Sequence, residues 1–208
     1  MRHFALIGTV TLVHLLAVIS PGPDFLMAVR NSLTYSRRTG IYTAVGFGCG
    51  IAVHIAYCLA GLALIISRSL PLFHAIKLLG ALYLAYVGIR SLFSRAGDLE
   101  PTAAERRGDL HSLAAIRMGF ITNVLNPKAT LFFLSLFTLV IAPGTPAPVL
   151  AAVSVILVGN TILWFSLVAI LMTRPRVRAA FARYRTAFDR TLGGLLLALA
   201  VKVAFARD

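Results

Sequence analysis

The chain has 208 residues, of which 59% are hydrophobic, and its mean hydropathy is +0.87. This is well above the composition of a water-soluble domain, so a soluble fold is excluded. The formal net charge of +13, from 20 Lys and Arg against 7 Asp and Glu, would suggest a nucleic-acid partner in a soluble protein. In a membrane protein the position of the charges along the chain matters more than their sum, so we predict no nucleic-acid partner.

Apolar runs of about 20 residues mark membrane-spanning helices. Five runs are clear, and a weaker sixth run contains Lys202 near its end. In chain order they are Phe4–Ile19, Ile41–Ser67, Leu78–Ile89 with an extension back to Leu70, Met118–Ile141, Ala147–Met172 and Thr191–Ala206. We therefore predict an all-α integral membrane protein with six transmembrane helices and one domain over residues 1–208. Five spans are the alternative, because the sixth run is weak.

The basic residues predict the orientation of these helices. Fourteen of the 20 Lys and Arg residues fall in the first, third and fifth connections between the runs. Since Lys and Arg are enriched in cytoplasmic loops, both termini are predicted to be periplasmic, with a polar cytoplasmic loop over about 94–117. The fifth connection, Arg174–Arg190, alternates arginines with apolar residues at helical spacing, which predicts a basic amphipathic helix on the lipid surface.

The first apolar run ends in a sequence that cannot continue a regular helix. Pro21, Gly22 and Pro23 directly precede Asp24. Each proline lacks an amide donor and restricts the residue before it, so the span must break here. With the cytoplasmic interface between Arg30 and the following arginine pair, Asp24 is roughly 9 to 20 Å inside the membrane at about 1.5 Å per residue.

A second break is predicted where Asn123 and then Asn126, Pro127 and Lys128 interrupt the fourth run, roughly 16 Å beyond Arg117. A charge near the bilayer centre costs on the order of 2.5 to 3.5 kcal/mol on insertion scales, so Lys128 and Asp24 are not there for stability. Ionisable groups beside broken helices usually line a pathway, so both breaks are predicted to bind or translocate a substrate. The alternative is that the prolines are tolerated kinks whose charges snorkel or neutralise.

Asn160 is the main polar residue of the fifth run. Two roles are open for it: lining the translocation pathway, which we include among the predicted site residues, or a hydrogen bond to a neighbouring helix.

The two halves of the chain resemble each other. Pro23-Asp24 aligns with Pro127-Lys128, and Lys77–Ala85 aligns with Arg190–Ala198. Three spans per copy is an odd number, which predicts a three-plus-three inverted repeat, with copies over about 1–95 and 118–208 and broken helices 1 and 4. Asp24 and Lys128 would then face each other across the pseudo-axis. There Asp24 would take the ammonium and Lys128 the carboxylate of a small zwitterionic substrate.

At these residues the chain resembles the LysE/RhtB family of bacterial amino acid exporters. The resemblance is carried by Ser20–Asp24, by Arg30-Asn31-Ser32, and by Gly119-Phe120 followed by Asn126–Ala129. It implies a secondary-active exporter of amino acids or close derivatives in the bacterial inner membrane, driven by the proton motive force and forming a homodimer. Asp24 is the candidate for proton coupling, whereas His14 and His54 are more often packing residues.

Two rival functions remain open at the level of sequence: efflux of another small solute or a metal cation, and a membrane-embedded enzyme. Cys49 and Cys58 lie nine residues apart, which places them on opposite faces of a helix and argues against a thiol-redox pair. The sequence contains no nucleotide-binding or metalloprotease motif. We therefore predict a secondary transporter that is not an enzyme and has no cofactor or metal site.

Overall fold

The computed structural model describes residues 2–20, 22–68, 82, 85–86, 89, 92–93, 108–141 and 144–204. Most of the third predicted span, most of the polar loop and Pro21 lie outside these residues. The described helices with full bounds are α1 (Arg2–Ile19), α2 (Pro23–Thr34), α3 (Arg37–Arg68), α4 (Ser112–Val124), α5 (Pro127–Val140), α6 (Ala147–Met172) and α7 (Pro175–Ala204).

Two of these helices, α3 over Arg37–Gly61 and α6, are long and apolar enough to cross a bilayer alone. Two further pairs are bent, α1 with α2 by 58° and α4 with α5 by 61°, and each qualifies as one broken span. The helical membrane protein and both predicted breaks are thus confirmed, with up to four spans among the described residues. The sixth run forms the second half of α7 and is not among these spans.

Both breaks are followed by a helix that starts at a proline. Proline is tolerated in the first turn because its missing N–H would have no intrahelical partner there. Before α2, Gly22 has an extended backbone. Before α5, the Asn126 side chain accepts a hydrogen bond from the Lys128 amide at 2.9 Å and so caps the helix. We call residues 20–22 the first break and residues 125–126 the second break.

Helices α3 and α6 pack against each other at the centre, and the two broken spans pack around them. The closest approach is between α3 and α4. A Cβ on Gly46 would overlap the carbonyl oxygen of Ile116, and a Cβ on Gly119 would overlap that of Thr43. Small residues are what allow membrane helices to pack backbone against backbone, so this glycine pair fixes where α4 lies on α3.

The outer surface of the described helices carries large apolar side chains that are exposed, among them Phe4, Leu12, Val155 and Leu163. Such exposure would be costly in water, whereas it is expected for a surface that faces lipid tails. Polar side chains are instead found inside, including His14, Asp24, His54 and Asn123. The protein is therefore apolar outside and carries its polar groups within the bundle.

The basic stripe that begins α7 differs from the prediction. Its apolar residues Val177 and Phe181 pack against the protein core, and the Phe181 ring stacks on Phe25 at a centroid distance of 5.2 Å. The first two apolar residues of this segment thus pack on the helix bundle, where Phe25 offers an aromatic partner that the sequence pattern alone does not reveal, whereas Tyr184 is exposed. Arg174, Arg176 and other arginines of the stripe remain exposed.

Candidate functional site

The two breaks meet at a cavity of about 40 Å³. Both charged residues predicted for the site, Asp24 and Lys128, line it, together with Gly22 and Asn126. The rest of the wall is mainly apolar and aromatic: Ala17, Val18, Phe25, Ile51, Ala129, Phe132, Phe133 and Phe165, with His14, Ser20 and Thr161 as further polar members. A polar end at the breaks and an aromatic end below it are typical of a small-molecule site.

Asp24 lies in the first turn of α2, with only 8% of its surface exposed. Its Oδ2 accepts a hydrogen bond from the Asn123 side chain on α4 at 2.8 Å. A carboxylate is favoured at a helix N-terminus, by about 0.3 to 1 kcal/mol or more when partly buried. The second oxygen, Oδ1, has no hydrogen-bond partner. Asp24 is thus firmly held through one oxygen, and the other is available to a ligand.

Lys128 is the corresponding residue of α5, but its sign is opposite to what a helix N-terminus favours. Its Nζ donates a hydrogen bond at 2.7 Å to the backbone carbonyl of Ser20, which directly follows α1. The missing side chain at Gly22 makes room for it, since a Cβ there would lie 3.2 Å from the Lys128 Cδ. The Lys128 cation thus lies where the helix dipole disfavours it, in space that the glycine leaves open.

These two contacts are reciprocal. In each broken span the second half-helix places a charged side chain on the end of the first half-helix of the other broken span: Asp24 on Asn123, and Lys128 on Ser20. The two charges are also close enough to act on each other electrostatically. The breaks are therefore coupled, so a movement of one broken helix must change the contacts of the other.

A second polar chain leads away from Asn123. His54 on α3 donates from Nε2 to the Asn123 carbonyl at 3.0 Å, and its Nδ1 is 2.7 Å from the Tyr57 hydroxyl. Because a carbonyl only accepts, Nε2 carries the proton and the Tyr57 hydroxyl donates to a neutral ring. Gly50 leaves the space that the Asn123 side chain fills. His54 thus holds the backbone of Asn123 and Gly50 makes room for its side chain, which together position the amide that binds Asp24.

We expect Asn123→Ala to lower the free energy of unfolding by about 1 to 3 kcal/mol, because it removes the donor to a buried carboxylate oxygen. Export activity should fall as well, since Asp24 is no longer held in place. Thermal unfolding in detergent measures the first effect. Asn160→Ala is the matched control, because the Asn160 amide nitrogen has no hydrogen-bond partner. Equal stability of the two variants would contradict this role of Asn123.

Several of the residues predicted for the site are neighbours in the structure. Gly22, Asp24, Asn126 and Lys128 lie together, while Pro23 and Pro127 start the helices that carry the two charges. Asn160 is not among the residues that line the cavity; its neighbour Thr161 is. The pathway role of Asn160 stays a prediction.

Four polar members of the site were not in the predicted set: His14, Ser20, Asn123 and Thr161. Ser20 acts through its backbone carbonyl, for which the side-chain sequence gives no signal. Asn123 had a signal, because it is a polar residue within the fourth apolar run and lies three residues before Asn126.

A thiol-redox carrier would need two cysteines that can meet, and a metal transporter would need a cluster of ligands. Neither arrangement occurs in the described part of the chain. Cys49 is exposed and Cys58 is buried, which confirms that they lie on different faces of α3. No group of three or more His, Cys, Asp or Glu that could hold a metal ion occurs among residues 2–20, 22–68, 108–141 and 144–204.

Comparison with known proteins gives matches over nearly the whole chain. The family model described as LysE type translocator matches residues 15–207. The threonine efflux protein of Escherichia coli (strain K12) is 30% identical over 203 residues, which cover 96% of this chain and 97% of the relative. The threonine efflux protein of Salmonella typhi is 30% identical over 200 residues, with the same coverage. No solved structure matches this chain.

A third relative, an uncharacterized membrane protein of Pseudomonas aeruginosa, is 31% identical over 196 residues, or 91% of this chain and 90% of the relative. The matches confirm the family suggested by the motifs at the two breaks, and a transport protein of the bacterial inner membrane rather than an enzyme. They cover both broken spans and the charged residues of the cavity. The chain belongs to the LysE type translocator family.

Proposed function

We propose that this protein exports amino acids across the bacterial inner membrane by secondary-active transport. The observation that carries the proposal is that a buried acid, Asp24, and a partly buried base, Lys128, line a single cavity where two broken helices cross. The two relatives named as threonine efflux proteins support an amino acid as the substrate.

The charged pair suits the two ends of a zwitterion. The unpartnered Oδ1 of Asp24 accepts from the substrate ammonium, and the Lys128 ammonium meets the carboxylate. Both interactions take place in a low-dielectric interior, where charge-assisted hydrogen bonds are strong. The substrate class is therefore zwitterionic, with both charges recognised.

The cavity of about 40 Å³ has room for a few water molecules, because one water needs roughly 10 to 15 Å³ on the same measure. An amino acid is larger, so the site must widen to admit it. In this proposal the conformation is a closed one, and the half-helices α2 and α5 move to open the cavity to one side at a time.

We also propose that the chain is a single transporter domain of six spans with an inverted repeat, both termini being periplasmic. Support comes from three contacts between described helices that have a counterpart when α1, α2 and α3 are exchanged with α4, α5 and α6, although the contact of α2 with α3 has no comparable counterpart between α5 and α6. The contact of α3 with α4 corresponds to that of α6 with α1. In the same way, α2 with α6 corresponds to α5 with α3, and α2 with α4 corresponds to α5 with α1. The similar bends of 58° and 61° support the same symmetry.

Proton coupling through Asp24 is the final element. A carboxylate can bind the substrate ammonium in one half of the transport cycle and a proton in the other half. Such an exchange couples the export of the substrate to the import of a proton. Asp24 is suited to this exchange because it is buried in the cavity and only one of its oxygens is already bonded. The homodimer stays a prediction.

The proposal is tested with purified protein in liposomes that contain threonine. We expect an inward proton gradient to accelerate threonine release, and Asp24→Asn to reduce the rate at least 100-fold. Asp109→Asn, the same change at an exposed position, is the control and should transport normally. Transport that survives neutralisation of both Asp24 and Lys128 would overturn the proposed site, and release independent of the gradient would overturn proton coupling.

A further inference from the structure

His14 on α1 lies at the aromatic end of the cavity and is fully buried, with 0% of its surface exposed. Its Nε2 is 3.4 Å from the hydroxyl oxygen of Thr161 on α6. The same hydroxyl donates its proton to the backbone carbonyl of Leu157 at 3.0 Å. These distances give one chain of hydrogen bonds, from His14 through Thr161 to the backbone of α6.

The direction of this chain defines the protonation of His14. A threonine hydroxyl has one proton, and the Leu157 carbonyl takes it because a carbonyl only accepts. The shorter contact, 3.0 Å to Leu157 against 3.4 Å to His14, favours this arrangement, in which Thr161 accepts from His14 and the ring proton of a neutral imidazole lies on Nε2. The other nitrogen, Nδ1, then carries a lone pair and no proton.

Nδ1 of His14 is buried and has no hydrogen-bond partner. Buried acceptors are nearly always paired, because leaving one unpaired costs the free energy of its desolvation. The rings next to His14 do not provide a donor: Phe132 and Phe133 pack against it at centroid distances of 5.9 and 5.7 Å. A hydrogen-bond donor for this nitrogen must therefore come from a group that enters the cavity.

The position of His14 relative to Asp24 and Lys128 indicates which part of a bound substrate would supply this hydrogen-bond donor. Phe132 follows Lys128 by four residues on α5, so the ring that packs on His14 is about 6 Å along the helix from Lys128 at roughly 1.5 Å per residue. That distance is on the order of the length of an amino acid. With its ammonium at Asp24 and its carboxylate at Lys128, the substrate would direct its side chain towards His14.

We propose that His14 is the specificity-determining residue for the substrate side chain, and that its Nδ1 accepts a hydrogen bond from a neutral O–H or N–H donor there. The inference rests on the proposed function, since it uses the orientation set by Asp24 and Lys128. The transported class is then amino acids with a hydroxyl or amide side chain. Aliphatic amino acids of the same size leave Nδ1 unpaired and are disfavoured.

Threonine and valine are the probes that test this, because they have nearly the same shape and differ in one hydroxyl group. In liposomes that contain the full-length protein, we expect wild type to exchange threonine at least about tenfold faster than valine. His14→Phe keeps an aromatic ring without the acceptor and should bring the ratio close to one. His14→Asn can place its Oδ1 where Nδ1 was, so it should restore much of the preference for threonine.

Thr161→Val provides a second variant in case His14→Phe does not fold. It removes the hydroxyl that holds Nε2 while leaving the imidazole in the cavity, so the threonine preference should fall by a smaller factor. ¹⁵N NMR of histidine-labelled protein gives an independent readout. The His14 signals, assigned by their loss in a His14 variant, should show a protonated Nε2 and an unprotonated Nδ1 in wild type.

The outcomes separate this inference from the proposed function. A wild-type protein that does not distinguish threonine from valine, or a His14→Phe variant that keeps the wild-type ratio, overturns the role of His14 while leaving amino acid export in place. Equal loss of threonine and valine exchange in folded His14→Phe would also overturn it, since His14 would then act on the common part of the substrate. Transport that does not depend on Asp24 overturns the proposed function and the inference with it.

Discussion

Gly119→Ala is expected to prevent stable folding, with a loss on the order of 3 kcal/mol or more in the free energy of unfolding. The added methyl group would overlap the backbone carbonyl of Thr43, and a backbone atom inside a helix cannot turn aside as a side chain can. Overpacking in a tight core costs about 1 to 3 kcal/mol even where side chains can adjust. Gly46→Ala, which meets the Ile116 carbonyl from the other helix, should have a comparable effect.

The control for this prediction is Gly61→Ala, on the same helix as Gly46 but with nothing within 4 Å of the added atom. Gly119→Ala and Gly61→Ala raise helix propensity to the same extent. The difference between their free energies of unfolding therefore measures the overlap alone. Purified variants are compared by thermal unfolding in detergent and by the amount of protein that elutes as a single species. If Gly119→Ala proved as stable as Gly61→Ala, the close crossing of α3 and α4 would be wrong.

Lys128→Met is expected to abolish amino acid export while leaving stability nearly unchanged. Transport should fall at least 100-fold, because the substrate carboxylate loses its cation in the cavity. Stability should change by no more than about 1 kcal/mol, since the lost hydrogen bond to Ser20 is offset by removal of a partly buried cation from a helix N-terminus. A loss of function without a loss of stability is characteristic of a residue that is retained for its activity.

The specific readout for Lys128 is discrimination between threonine and threoninol, which has a hydroxymethyl group in place of the carboxylate. Wild type should prefer threonine strongly, and the residual activity of Lys128→Met should show no such preference. Lys202→Met makes the same change in the sixth apolar run and serves as the control. Retained preference for threonine in Lys128→Met would show that the carboxylate is bound elsewhere.

Several features followed from the sequence because they depend on neighbouring residues only. A run of apolar residues predicts a span whatever surrounds it, and the bounds of the fifth run, Ala147–Met172, agree with those of α6. Prolines at positions 23 and 127 end one helix and start another through local sterics and a missing donor, so both breaks were predicted where they occur. A charge within the membrane is costly, and this cost alone predicts that Asp24 and Lys128 belong to the site.

The partners of these charges were decided by the tertiary structure. Asn123 reaches Asp24 only because the glycines at positions 46 and 119 bring α4 against α3, and Lys128 reaches the Ser20 carbonyl only because two broken spans cross. The packing of Phe181 on Phe25 depends in the same way on a distant aromatic ring. His14 belongs to the cavity through Thr161, 147 residues away. Periodicity and charge define each helix, whereas the faces that meet depend on contacts between residues far apart in the chain, which no local pattern encodes.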